Sequence, residues 1–138
     1  MDTRHNPGRR SAKQIEAAVM SGDDVGPLCG VPVSIKDNLF VKGVRTTFGS
    51  QLLRDFIPDV DAPIVERLRA AGAIIVGRTN TPEFGWKGVT DNLVFGVTRN
   101  PWNLELTPGG SSGGAAEENN FTVTTNSTVV LGFSFSGD

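Results

Sequence analysis

DAPIVERLRAAGAIIVG, residues 61–77, is the stretch on which the fold turns. Asp61 stands where an N-cap belongs, and Pro63 falls in the first turn, where a helix tolerates a residue without an amide proton. Ile64, Val65, Leu68 and Ala71 recur at helical spacing, which predicts a helix with these four as its buried stripe and Gly72 as its stop. Ala73-Ile74-Ile75-Val76-Gly77 follows at once, a short continuous apolar run of the kind found in a strand covered on both faces. Helix, glycine and buried strand in this order predict an α/β layer architecture.

Working outward toward the N-terminus, Val31, Val33 and Ile35 alternate with Pro32, Ser34 and Lys36. That is the two-residue period of a strand with one apolar face, and Pro32, lacking a donor, belongs at its start or on an edge. A turn is expected around Lys42-Gly43. Earlier still, Ser11 and Gln14 have capping-box spacing and Ile15, Ala18 and Val19 follow at helical intervals, predicting a helix over residues 12–21 ended by Gly22. Residues 1–10, with the turn signal Asn6-Pro7-Gly8, read as a loose leader. Toward the C-terminus, Thr81-Pro82-Glu83 starts a helix that Gly85 and Gly88 keep short. Residues 91–106 read as turns, Arg99-Asn100-Pro101-Trp102-Asn103 being the clearest, and the glycine–serine loop of residues 107–114 then runs into Ala115-Ala116.

The composition excludes several classes of function. With 138 residues, 38% hydrophobic and 20% charged, the chain has the make-up of a globular domain. Its 13 basic and 15 acidic side chains nearly cancel, so charge predicts no nucleic-acid surface. No run of eighteen apolar residues occurs and residues 1–10 are polar, so neither a membrane span nor a secretory leader is expected. Cys29 is the single cysteine and has no internal partner, which fits a reducing, cytoplasmic setting. Glycine is the unusual count: 17, with 8 prolines, is rich in turns and tight backbone sites for so short a chain.

Few residues can carry chemistry. The glycine–serine loop admits three readings: a phosphate cradle, a flexible linker, or a backbone that delivers a hydroxyl to a confined place. Ala115 stands after Gly114 where a P-loop needs lysine, which argues against the first. Lys36 lies on the polar register of its strand, either in solvent or enclosed; only burial or a cationic neighbour would make it a base. His5, the single histidine, lies in the leader, so a histidine triad or a histidine metal site is not expected. Cys29 reads as an ordinary packed or partly exposed thiol. Asp23-Asp24 and Glu117-Glu118 do not look like acid/base dyads, and Asn120 and Asn126 match the glycosylation pattern by chance in a Thr-rich tail.

Taken together, Gly30-Val-Pro-Val-Ser-Ile-Lys36-Asp37-Asn38, Ala71-Gly-Ala-Ile-Ile-Val-Gly-Arg-Thr-Asn80, Arg99-Asn-Pro-Trp102 and Pro108-Gly-Gly-Ser-Ser-Gly-Gly114 closely resemble the amidase signature family in order and spacing, from about Gly26 to Ala116. The resemblance implies the N-terminal part of an α/β fold with a mixed sheet flanked by helices, incomplete in this chain. It implies hydrolysis of a carboxylic amide by a serine, cis-serine, lysine triad, with no metal and no cofactor. Lys36 takes the place of the family's lysine and Ser111 that of the bridging serine with its cis peptide bond. Ser112 is its hydrogen-bonding neighbour, and Gly109 and Gly110 allow the loop's close approach. The implied organisation is a leader and short helix over 1–25, the amidase portion over 26–116 and a divergent tail over 117–138.

The tail departs from the family. Residues 119–137 hold no charged side chain and are dominated by Thr, Asn, Ser, Phe and Val. Where the family's nucleophilic serine is due, the spacing reaches Phe135, with Ser134 and Ser136 beside it and no Gly-Gly-Ser context. We read this as a frame change or truncation, which the other two reading frames of the nucleotide sequence would reveal. The expected substrate is a small-molecule amide, with no nucleic acid or membrane partner. The chain alone should show no amidase turnover, and it should self-associate, because the helix stripe and the 74–76 strand lack covering elements. Two further functions compete: the A subunit of a glutamyl-tRNA(Gln) amidotransferase, and a non-catalytic remnant or binding module. The segment Pro82-Glu83-Phe84-Gly85-Trp86-Lys87 looks more like stand-alone hydrolases than like the amidotransferase component.

Overall fold

The computed structural model describes residues 7–118. Helix α1 spans Pro7–Ser21, strand β1 Pro32–Lys36, helix α2 Pro63–Ala70 and strand β2 Ile74–Thr79. The two-residue strands β3 (Asp91–Asn92) and β4 (Gly96–Val97) form a hairpin, and helix α3 (Gly113–Glu118) follows the glycine–serine loop. β1 and β2 pair in parallel across the α2 crossover, and β3 and β4 pair antiparallel. The expected α/β layering is therefore present.

Gly72 shows why the deciding stretch folds as it does. At φ +87° it occupies the left-handed region. Its N–H donates to the Arg69 carbonyl, and that of Ala73 to Leu68, the paired bonds of a Schellman stop. The chain leaves α2 straight into β2, and Leu28 N–H and Gly30 N–H bond back to the carbonyls of Ala71 and Gly72 at 2.7 and 3.2 Å. The approach to β1 is thus fixed on the end of α2. Val33, Ile35, Val41, Val65 and Ala73 form the buried core, with Leu28, Val31, Leu39 and Leu68 packed around it. Each fully buried valine contributes about 1.5–3 kcal/mol, so the core is modest and centred under the strand pair. Helix α1 packs on β2.

Four expectations need correction. Helix α1 begins at Pro7, so residues 7–10 are helical and Ser11 lies inside the helix instead of capping it. The proline in Asn-Pro-Gly reads equally well as an N1 residue, whose missing N–H costs a helix start nothing. Asp61 does not cap α2: the N-cap is Ala62, without a side-chain bond. Asp61 instead accepts from Lys42 N–H at 2.6 Å and from Arg69 Nε at 3.0 Å, which ties the helix to the preceding turn. In the stripe, Val65 is fully buried and Leu68 partly so, but Ile64 is exposed, because so short a helix turns only a narrow face inward. Finally, β2 is not covered on both faces. The register passes from Val33↔Ile75 to Ser34↔Gly77, leaving Val76 as the extra residue of a bulge, 43% exposed.

The Thr81-Pro82-Glu83 start gives a single 3-10 turn, Glu83–Gly85, as short as the glycines require. Within residues 91–106 the chain turns as expected, with the small hairpin added: Asn92 Oδ1 accepts the N–H groups of Val94 and Phe95 at its tip, and Asn100 Oδ1 that of Trp102. The composition-break tail from residue 119, its serines at 134 and 136, His5 and both Asn-X-Thr matches lie outside the described residues. Among the described residues no helix is long and apolar enough to cross a membrane.

Candidate active site

Lys36 closes β1, at the carboxyl end of the parallel pair, where crossover folds gather their functional groups. Its Nζ donates to Ser111 Oγ at 2.7 Å and to Ser112 Oγ at 3.0 Å, joining positions 75 and 76 residues apart. The loop therefore folds back over the strand end, and the linker reading of the sequence gives way to one in which it presents hydroxyls. The Gly110–Ser111 peptide bond is cis. Burial pulls the Lys36 ammonium below its ordinary value of 10.5.

Nearby charge does not reverse that shift. Asp37 is next in sequence and only 3% exposed, yet its carboxylate is turned to other partners. Arg78 Nη2 donates to its Oδ1 at 2.9 Å, the Thr47 N–H donates to the same oxygen at 3.2 Å, and the Thr47 hydroxyl donates to Oδ2 at 2.5 Å. Arg78 Nη2 also reaches Thr46 Oγ1 at 3.1 Å. Lys36 is in none of the ion pairs among the described residues. A half-buried amine without a carboxylate beside it, in contact with a hydroxyl, holds its proton less firmly than a lysine in water and is placed to exchange one with that hydroxyl.

The loop's glycines serve two different needs. Gly109, at φ +88°, takes a conformation that side chains rarely adopt. Gly110, Gly113 and Gly114 are needed for closeness: a Cβ would stand 2.9 Å from Val89 N, 2.4 Å from Thr90 Oγ1 and 2.4 Å from Asn80 N respectively. Asn80 in turn cannot give way easily. Its Oδ1 accepts from Asn92 Nδ2 and Thr81 N–H, and its Nδ2 donates to Thr98 Oγ1. The segments 78–81 and 88–90 thus form the bed on which the loop rests.

All the sequence-derived site residues meet here: Lys36, Ser111 and Ser112 in direct contact, and Gly109 and Gly110 in the loop that carries them. Cys29 is partly buried beside Gly72, ahead of the start of β1, and Lys36 closes the other end of that strand. Reasoning from sequence missed the Asp37–Arg78 pair and Thr90. The first had a signal, an arginine interrupting an apolar strand run opposite a strand ending in adjacent charges of opposite sign. Thr90 had none. A cavity of about 390 Å³ lies beside Asp37, Arg78 and Phe95, but neither Lys36 nor Ser111 lines it. Among the described residues no cluster of three or more His, Cys, Asp or Glu side chains is placed to hold a metal.

Known proteins resemble most of this chain. The Amidase family model matches residues 5–117. Over 105 residues the chain is 50% identical to the A subunit of the glutamyl-tRNA(Gln) amidotransferase of Carboxydothermus hydrogenoformans, a match covering 76% of this chain and 22% of that protein. Among solved structures, a bacterial aryl acylamidase of the amidase signature family superposes with a TM-score of 0.72 at 38% identity, over 78% of this chain and 23% of the other. The corresponding A subunit from Thermotoga maritima superposes with a TM-score of 0.64 at 36% identity, over 82% and 28%. The chain spans under a third of the length of each.

Proposed function

Since the chain belongs to the Amidase family, we propose that it carries the proton-relay half of a site that cleaves a small-molecule carboxylic amide. The observation that supports this reading is the 2.7 Å contact between Lys36 Nζ and Ser111 Oγ, made by a lysine whose burial favours the neutral amine. Lys36 acts as general base and Ser111 as bridge. In a complete site, a serine nucleophile of the kind the resemblance implies, for which this chain shows no Gly-Gly-Ser context, would give its proton to Ser111 as Ser111 gives its own to Lys36. The nucleophile's oxygen bonds to the amide carbon. When the C–N bond breaks, the proton returns from Lys36 through Ser111 to the departing amine, and water then hydrolyses the acyl ester. Ser112, also on Lys36, fixes the amine's direction. No metal or cofactor enters the scheme.

A second reading, the A subunit of a glutamyl-tRNA(Gln) amidotransferase working with partner subunits, draws support from the 50% identity to the Carboxydothermus hydrogenoformans protein. The hydrolase-like segment 82–87 favours the stand-alone enzyme instead. The same lysine–serine chemistry serves both. On either reading we place the protein in the cytoplasm, in line with its lone cysteine.

The test is a pair of chimeras in which residues 7–116 replace the matching segment of an amidotransferase A subunit and of an aryl acylamidase. Release of ammonia or amine by either chimera, abolished by Lys36→Ala and by Ser111→Ala, supports the relay. The host that regains turnover separates the two readings. Turnover that survives Lys36→Ala in a folded chimera contradicts it.

A further inference from the structure

The Lys36 contact depends on where the loop lies, and one buried side chain spans that loop. Thr90 is 1% exposed and sits on neither the strand pair nor the loop. Its Oγ1 donates to the Gly109 carbonyl at 3.0 Å and accepts from Gly113 N–H at 2.9 Å. These two backbone groups stand on either side of Gly110, Ser111 and Ser112, so a single hydroxyl closes the loop around both serines. Thr90 is held in turn, since its carbonyl accepts from Thr98 N–H at 2.9 Å. Gly110 lies flat on Gly88 and Val89, where a Cβ would come within 2.9 Å of their backbone. The loop is therefore moulded on residues 88–90 and fastened at one point.

We propose that Thr90 is a positioning residue for the candidate site: its hydroxyl, used as donor and acceptor at once, sets the loop so that Ser111 and Ser112 meet the Lys36 amine. The proposal rests on the reading of Lys36 and Ser111 as a proton relay. It requires an atom that both gives and receives a hydrogen bond, which serine can supply and valine, of the same shape as threonine, cannot. With valine, the buried Gly113 N–H and the half-buried Gly109 carbonyl lose their partner, and the loop lifts to regain water.

The test follows the pH dependence of acetic anhydride labelling at Lys36 in the 138-residue chain. Each variant is compared with the same lysine in the urea-unfolded chain, and folding is monitored by circular dichroism. The midpoint of the profile reports ionisation irrespective of how fast the site is reached. In the unmodified protein the folded midpoint lies below the unfolded one. Thr90→Val closes that gap, and Thr90→Ser restores most of it. If Thr90→Val is folded and keeps the gap, the proposal is overturned while the Lys36 reading stands. If Thr90→Val does not fold, Thr90→Ser decides alone: retention supports the hydroxyl's role, and loss overturns it by assigning the effect to the methyl group. Absence of any gap in the unmodified protein overturns the Lys36 reading itself, and with it the proposal.

Discussion

Gly114→Ala is the sharpest perturbation of the loop's seat. The new Cβ would stand 2.4 Å from Asn80 N, 2.7 Å from its carbonyl oxygen and 3.0 Å from its Cα. Unstrained contact needs roughly 3.5 Å, so the start of α3 must retreat by about 1 Å, because Asn80 is anchored by three side-chain bonds. Overpacking of this kind costs about 1–3 kcal/mol, and the better helix propensity of alanine offsets at most ~1 kcal/mol. The expected net loss is about 1–2 kcal/mol, which lowers the urea midpoint by roughly 1 M. Gly77→Ala is the control. It makes the same chemical change where no atom lies within 4 Å of the Cβ and φ is not in the left-handed region. There alanine is expected to stabilise by about 0.4–1 kcal/mol through the unfolded chain. In an active chimera, a retreat of about 1 Å at the serines should lower turnover by about 10²-fold. A Gly114→Ala protein as stable as its parent, with Lys36 ionisation unchanged, would refute the view that closeness is what requires glycine there.

Three other outcomes are expected. Arg78→Met strands the carboxylate of Asp37, 3% exposed, and should cost about 3–5 kcal/mol in urea unfolding; the double variant with Asp37→Asn should lose less, and equal losses would dismiss the pair as the cause. Lys36 has a folded pKa below its unfolded value, so between the two the unfolded state holds more protons and stability climbs as pH rises toward 10.5. Lys36→Met removes that climb, and parallel stability–pH curves for the two proteins would contradict the shift. Val65→Ala, at a fully buried position in α2, should cost about 2–3 kcal/mol from the lost apolar contact and the cavity left behind; a change below ~0.5 kcal/mol would show that α2 does not close the core.

The parts of the fold legible in the sequence are those where neighbouring signals agree. Pro63, the helical spacing, Gly72 and the apolar run all point to α2 leading into β2, and alternation placed Lys36 on the polar register of β1 without saying whether it is enclosed. The misreadings share a cause in partners distant along the chain. The bulge at Val76 exists only against β1, so no property of residues 73–77 announces it. Asp61 has a cap's chemistry, but Lys42 and Arg69 claim its two oxygens. At the site, glycine and serine marked the loop, yet only Gly109 uses the conformational freedom that the composition advertised. Gly113 and Gly114 are explained by Thr90 and Asn80, which approach them only in the folded chain. Thr90 itself carries no local mark, since a buried threonine that fastens a loop looks like any other threonine in a turn-rich stretch.

The ionisation of Lys36 tests the central claim most directly, followed by nitrogen NMR of its Nζ across a pH titration of the folded chain. The account predicts a midpoint below 10.5, with a resonance perturbed by Ser111→Ala because the two groups are in contact. A midpoint at or above 10.5, indifferent to Ser111→Ala, would contradict it and leave Lys36 an ordinary surface cation.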